Sequence, residues 1–303
     1  MRILRKSKKN APVSFYSEKE LYIKRRIEES SGYFGKSFSN RYANWRRYES
    51  IIQAIGAEVE KTGKNKNLHI LEIGCGEAWM IFRLKNEYDG KYNVNFTGID
   101  LSDFEIDFAK RKKKHYKLTG CDFHVMDATS LKFKGEAFDA VICSEVIEHI
   151  PDPVRIICEI KRVLKKNGLA VLTTPNSDGN IIVKGFKILK KLTFGMIKVE
   201  KEAIVNKLVN KQEKKALDAY TIIGRAGLGH VSEKSRREWL KLFKNSGFKI
   251  EAAFGTGGMF FGDPVIDKHR FMFGFSVIFD TLTKCFSLSY LWSETAIFQL
   301  RKR

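Results

Sequence analysis

The sequence predicts an α/β fold: a mostly parallel sheet with helices on both faces, preceded by a helical cap and interrupted by a basic helical insertion. Three observations carry this expectation. Short apolar runs alternate with amphipathic segments between residues 68 and 176, and that alternation implies strands joined by crossover helices. The segments between the runs open and close on residues that cap helices. The chain has 303 residues, 43% of them hydrophobic and 30% charged, which suits one large core carrying insertions.

The elements follow in order. Residues 1–14 read as a basic tail, and "NRYANWRRYESIIQAIGAEVEK" (40–61) has apolar residues at helical spacing. Together 1–61 form a tail and cap, and 62–303 the main domain after the polar linker "TGKNKN". The runs "LHILEI" (68–73), "VNFTGI" (94–99), "DFHVM" (122–126), "FDAVIC" (138–143) and "LAVLTT" (169–174) read as strands. Helices are expected over 102–117 and 153–165. "SDFE" puts Ser102 and Glu105 at capping-box spacing. "KKNGLAVL" is expected to end a helix on Lys165, Lys166, Asn167 and Gly168. The insertion covers 181–229. In its first helix Lys184, Lys187, Lys190 and Lys191 share one face, and Ile182, Phe186, Leu189 and Leu192 the other. A helix over 232–248, a strand over 249–254, a helical segment over 265–292 and a last strand over 294–302 complete the chain.

Composition narrows the function classes. A formal net charge of +20 and a pI near 9.7 point to an anionic partner, nucleic acid or membrane surface, or to a solvated basic face. The five cysteines, Cys75, Cys121, Cys143, Cys158 and Cys285, show no C-x-x-C pair, which argues against disulfides and zinc. "MRILRKSKKN" has no apolar run behind it, so it is not expected to be a secretory signal. The apolar stretch 271–292 is interrupted by Asp280 and Lys284 and is not expected to span a membrane. A cytoplasmic protein, with peripheral membrane contact through the insertion, is the expectation.

The glycine-rich turn "EIGCGEAWM" (72–80) follows the first strand. A dinucleotide fingerprint needs G-x-G-x-x-G, and Trp79 occupies its third position. No P-loop is present. Gly74 and Gly76 permit close backbone approach, while Glu72 before them suits a cationic amine rather than phosphate. "EIGCGEA" resembles the E/D-x-G-x-G-x-G signature of class I methyltransferases that use S-adenosylmethionine, with Ala78 in place of the last glycine. The resemblance covers about 40–176, 230–255 and the final strand, and implies a Rossmann-like seven-stranded sheet. It further implies that Asp100, in "TGIDLS", accepts from the ribose hydroxyls, that Asp127, in "VMDATSL", holds the adenine amino group, and that Ala128 lies beside the ring. "FDAVICSEVIEHI" matches the family's fourth motif and places Ser144 at the cofactor.

"EVIEHIPDP" (145–153) stands where the acceptor should lie. Glu145, Glu148 and His149 are at i, i+3 and i+4, so one helical turn would gather them on one face. His149, with Glu148 beside it, is the expected general base. The phrase resembles ubiquinone-type O-methyltransferases, whose E-x-x-E/D-H cluster binds a divalent cation. It also resembles small-RNA 2′-O-methyltransferases, where a later histidine completes the metal site. Glu145, Glu148, His149 and His230 are therefore the expected ligands for Mg²⁺ or Mn²⁺. His69 and His124 are expected in the core or as caps, and His115 at a solvated helix end. The expected acceptor is a small or amphiphilic molecule, such as a quinone precursor, lipid or lipid-linked glycan. RNA and a catalytically silent scaffold are the alternatives.

Overall fold

The computed structural model describes residues 38–177, 230–256, 293 and 295–303, with isolated positions at 274, 277, 278, 282 and 289. The tail 1–14, the insertion 181–229 and most of 265–292 lie outside the described residues. Seven strands form one sheet in the order β3-β2-β1-β4-β5-β7-β6. They are β1 (Leu68–Ile73), β2 (Val94–Asp100), β3 (Cys121–Val125), β4 (Phe138–Ser144), β5 (Leu164–Pro175), β6 (Phe248–Thr256) and β7 (Thr295–Lys302). β1 pairs with β2 and β4, β2 with β3, and β4 with β5, all parallel; β7 runs antiparallel to β5 and β6.

Helices cover both faces because each strand sends alternate side chains to opposite sides. Leu68 and Ile70 of β1 join one apolar cluster, and Leu71 and Ile73 join the other. The first cluster takes in α1 (Phe38–Thr62), α2 (Trp79–Tyr88) and α3 (Asp103–His115) through Ile51, Ile55, Ile81, Leu84 and Ala109. The second takes in α4 (Pro153–Val163) and α5 (Arg236–Asn245) through Ile156, Ile160, Trp239 and Phe243. Each isoleucine, leucine or phenylalanine among them, fully buried, contributes about 1.5–3 kcal/mol. α1 is fastened further by Arg301 of β7, which donates to Glu58 at 2.8 Å and to Glu251 of β6 at 2.7 Å.

Helix starts largely follow the expected caps. Ser102 accepts from the Glu105 N–H at 3.3 Å, which is half of a capping box. The Ser102 N–H, which the Glu105 side chain would accept in the full box, is donated instead to Asp100 at 2.9 Å. Around Asn167 the expectation is corrected: α4 ends at Val163, and Lys165 and Lys166 lie in β5. Leu164 already pairs with Phe138, and an irregular step follows before Leu169 pairs with Ala140. Asn167 takes φ +61° there, a conformation asparagine tolerates. Lys165 is drawn to the strand by Asp139 at 2.8 Å. His69 and His124 are a second correction, since both are exposed; His69 Nε2 lies 3.1 Å from Asn67 Nδ2.

Candidate functional site

The order places the direction reversal between β1 and β4, where open α/β sheets bind ligands at the strands' carboxyl ends. The turn after β1 is built from left-handed residues at every second position: Gly74 at φ +70°, Gly76 at φ +48° and Ala78 at φ +58°. A Cβ on Gly74 would meet Val146 Cγ2 at 2.2 Å, so the turns after β1 and β4 pack directly against each other. A Cβ on Gly76 would meet nothing within 4 Å, which leaves that backbone open to an incoming molecule. Gly98 of β2 makes room for the turn from behind, with Cys75 Sγ 2.8 Å from its Cβ position. Ala78 is fully buried and starts α2, its carbonyl accepting from Phe82 N–H at 3.0 Å. A left-handed alanine costs about 1–2 kcal/mol, which the packing around it sustains.

Three acids stand at successive strand ends. Glu72 is buried, and its Oε2 meets no hydrogen-bond donor among the described residues. Burial pushes its pKa up to about 8; the backbone of Ile81 pulls it down and the Asp100 charge raises it further. Asp100 accepts from Gly76 N–H and Ser102 N–H, one on each oxygen, both at 2.9 Å. Each oxygen keeps a second lone pair for another donor. Met126 N–H donates to the Asp100 carbonyl at 2.9 Å, tying the exit of β3 to that of β2. Asp127 is exposed, its Oδ1 accepting from the N–H and hydroxyl of Thr129 at 2.8 Å each. Ala128 is buried beside it.

Beyond β4 the expected helical turn is corrected. Glu145 is left-handed at φ +56°, and only Ile147–His149 coils, as a 3₁₀ turn. Glu145 Oε2 lies 3.2 Å from Arg47 Nη1 of α1, and Glu145 Oε1 accepts from the Thr173 hydroxyl at 2.9 Å. With its proton committed there, Thr173 accepts from Ser144 at 2.9 Å. Glu148 is wholly buried, its carboxyl oxygens lacking well-aligned donors among the described residues, with only the Thr174 hydroxyl close enough to favour the charged form. Burial first, and the Glu145 charge second, hold its pKa far above the usual carboxylate range.

The Glu148 carbonyl accepts from both Val231 N–H and Ser232 N–H at 3.0 Å, and the Ser232 hydroxyl donates to Ile150 O at 2.6 Å. These bonds seat His230 against the turn, its ring 5.1 Å from that of His149. Glu148, His149 and His230 each offer a ligand atom, all within 4.8 Å of one another. Glu145, expected among the metal ligands, is not in that group and engages Arg47 and Thr173 instead. Sequence reasoning missed Arg47 and Thr173, for which no local pattern exists. It also missed Glu233, whose Oε1 lies 2.6 Å from His230 Nδ1; the i, i+3 spacing could have suggested it.

A methyltransferase domain model matches residues 64–247, more than half of the chain. A ubiquinone biosynthesis O-methyltransferase of Coxiella burnetii is 32% identical over 111 residues, 37% of this chain and 45% of that protein. The enzyme of the same name from Pelagibacter ubique is 32% identical over 163 residues, 52% of this chain and 65% of that one. The chain thus spans about half the length of the curated relatives it matches. Geranyl diphosphate C-methyltransferase from Streptomyces coelicolor, solved with Mg²⁺, geranyl diphosphate and S-adenosyl-L-homocysteine, shares the fold. Its TM-score is 0.50 at 13% identity, covering 84% of this chain and 79% of that one. The glycine turn, the strand-end acids and the matched span lead to one assignment: this chain belongs to the methyltransferase domain family.

Proposed function

We propose that this protein transfers a methyl group from S-adenosylmethionine to an oxygen of a small, amphiphilic acceptor. One observation carries the reading: Glu72, Asp100 and Asp127 end three successive strands around the open backbone of Gly76, and Glu72 presents a buried oxygen with no donor among the described residues. When bound, the cofactor supplies an activated methyl group on a sulfonium. Glu72 takes its amine, and Asp100 its ribose hydroxyls through the lone pairs the backbone leaves. Asp127 and Ala128 receive the adenine, and Ser144 lines the sulfur end. Arg47 of α1, 3.2 Å from Glu145 beyond β4, suits the cofactor carboxylate.

Transfer disperses positive charge, so the protein's work is alignment and removal of the acceptor's proton. His149 takes that proton, and Glu148, with its Oε1 3.8 Å from His149 Nε2, lies beside the ring. The acceptor class rests on the names of the relatives and on the +20 charge, which also suits peripheral contact with an anionic membrane. The grouping of Glu148, His149 and His230 also favours a second reading, in which these three side chains would hold a divalent cation that lowers the acceptor's pKa in place of the imidazole base.

The test is transfer of radiolabelled methyl from the cofactor to 4-alkylcatechols of increasing chain length. Labelled ether is expected, rising with chain length. Label appearing in RNA and not in the phenols would overturn the acceptor class. Unchanged turnover in EDTA would remove the cation.

A further inference from the structure

His230 enters the site from more than eighty residues away in sequence, yet its ring is not loosely placed. Its backbone neighbours are bonded to the Glu148 carbonyl, Ser232 is bonded to Ile150 and Pro151, and its ring packs edge-on to His149. The remaining contact is chemical rather than steric: Nδ1 lies 2.6 Å from Glu233 Oε1. A carboxylate only accepts hydrogen bonds, so a neutral His230 must carry its proton on Nδ1 for this contact to form. An imidazole left to itself in water favours the other tautomer, with the proton on Nε2. The pair is partly solvated, 27% and 50% exposed at the two side chains, so it adds little stability. Its effect is on which ring nitrogen holds a lone pair.

We infer that Glu233 is a positioning residue for this site: it retains the Nδ1 proton of His230 and so fixes Nε2 as the ring's lone-pair atom, which accepts a hydrogen bond from the methyl acceptor. The inference rests on the proposed function for its last clause and on geometry alone for the rest. His149 and His230 then have separate duties. His149 removes the proton, and His230 holds the acceptor's proton-bearing group in line. The class of acceptor this fits has at least two proton-bearing polar groups close together, one for each imidazole.

The test uses the full-length chain labelled with ¹⁵N, observing imidazole nitrogens by long-range ¹H–¹⁵N correlation at a pH where histidine is neutral. The His230 signals are assigned by their loss in His230→Gln. Wild type should show a protonated Nδ1 and an unprotonated Nε2. Glu233→Ala should move His230 toward Nε2–H, and Glu233→Asp should restore the wild-type pattern. If the alanine variant fails to fold, Glu233→Gln serves, with a mixed pattern expected because its amide can face either way. Turnover of the alkylcatechol should fall about tenfold or more in Glu233→Ala, in kcat rather than KM, as fits loss of a fixed tautomer. S-adenosylhomocysteine binding and melting temperature should hold.

A wild-type ring protonated on Nε2, or a Glu233→Ala ring unchanged from wild type, overturns the inference. A correct ring signature with unaltered turnover in the variant overturns the positioning role. Failure of wild type to bind S-adenosylhomocysteine speaks against the proposed function instead, and the ring signature still judges the Glu233–His230 pair.

Discussion

Glu72 gives the account its sharpest quantitative consequence. Its carboxyl is pushed up to about 8 by burial, so at pH 7 about nine-tenths of the free protein carries a proton there. The ligand's amine is that of a free amino acid, more basic than a chain terminus, and is already protonated at the same pH. If Glu72 takes this amine as a carboxylate–ammonium pair, binding at pH 7 expels about 0.9 proton from Glu72 and the amine takes up almost none. Net release should therefore be about 0.9 proton per site. At pH 9 Glu72 is already ionised, so the release should largely vanish. Affinity should rise from pH 7 to pH 8 and then stop rising.

The assay is calorimetric titration with S-adenosylhomocysteine in buffers of differing ionisation enthalpy, where the slope of apparent heat against that enthalpy counts protons. Glu72→Gln should abolish the release at pH 7 and weaken binding. The free protein offers a cross-check. Because the folded pKa lies above the unfolded value, the stability Glu72 contributes is full below about pH 4.5 and is lost as pH rises toward 8. The span is at most about 4–5 kcal/mol, and Glu72→Gln should flatten it. A zero slope at pH 7, or identical slopes in wild type and Glu72→Gln, refutes the pairing.

Other consequences follow from the same turn. Gly74→Ala should cost about 3 kcal/mol or more in urea unfolding, since it adds left-handed strain to a 2.2 Å clash with Val146. Val146→Ala should recover about 1–2 kcal/mol of that in a double-mutant cycle. Ala78→Gly should stay within about 1 kcal/mol of wild type, because relief of left-handed strain is offset by a lost buried methyl and a freer unfolded chain. Ala78→Val, β-branched in a left-handed conformation, should cost more than about 2 kcal/mol by the same measurement. His149→Ala should lower methyl transfer about 100-fold or more while leaving S-adenosylhomocysteine affinity intact; unchanged turnover would dismiss the base.

Much of the fold could be read from residues because each strand's apolar run is short and each helix begins on a local signal. Ser102 caps its helix as expected, and the first four parallel strands fall within one residue of their expected bounds, while the fifth starts five residues early. Local signals failed where long-range pairing decided the outcome. Lys165, Lys166, Asn167 and Gly168 read as a helix end, yet pairing of Leu164 with Phe138 and the Asp139 charge pull them into the sheet. The strand-end acids were legible from their order along the chain. The grouping of Glu145 with Glu148 and His149 was not, because it assumed a helical turn. A left-handed Glu145 held by Arg47 and Thr173 takes that carboxylate elsewhere. His230 could be expected only through family resemblance. Two N–H bonds to the Glu148 carbonyl, from adjacent Val231 and Ser232 in a segment far away in sequence, are what bring it there.

The central claim is that the strand-tip carboxylates grip one nucleoside between them. A crystal structure of the protein grown with S-adenosylhomocysteine tests it most directly. The amine should lie within hydrogen-bond reach of Glu72, the ribose hydroxyls of Asp100 and the adenine amino group of Asp127. A nucleoside bound elsewhere, or crystals grown at saturating nucleoside with nothing beside Gly76, would contradict the account.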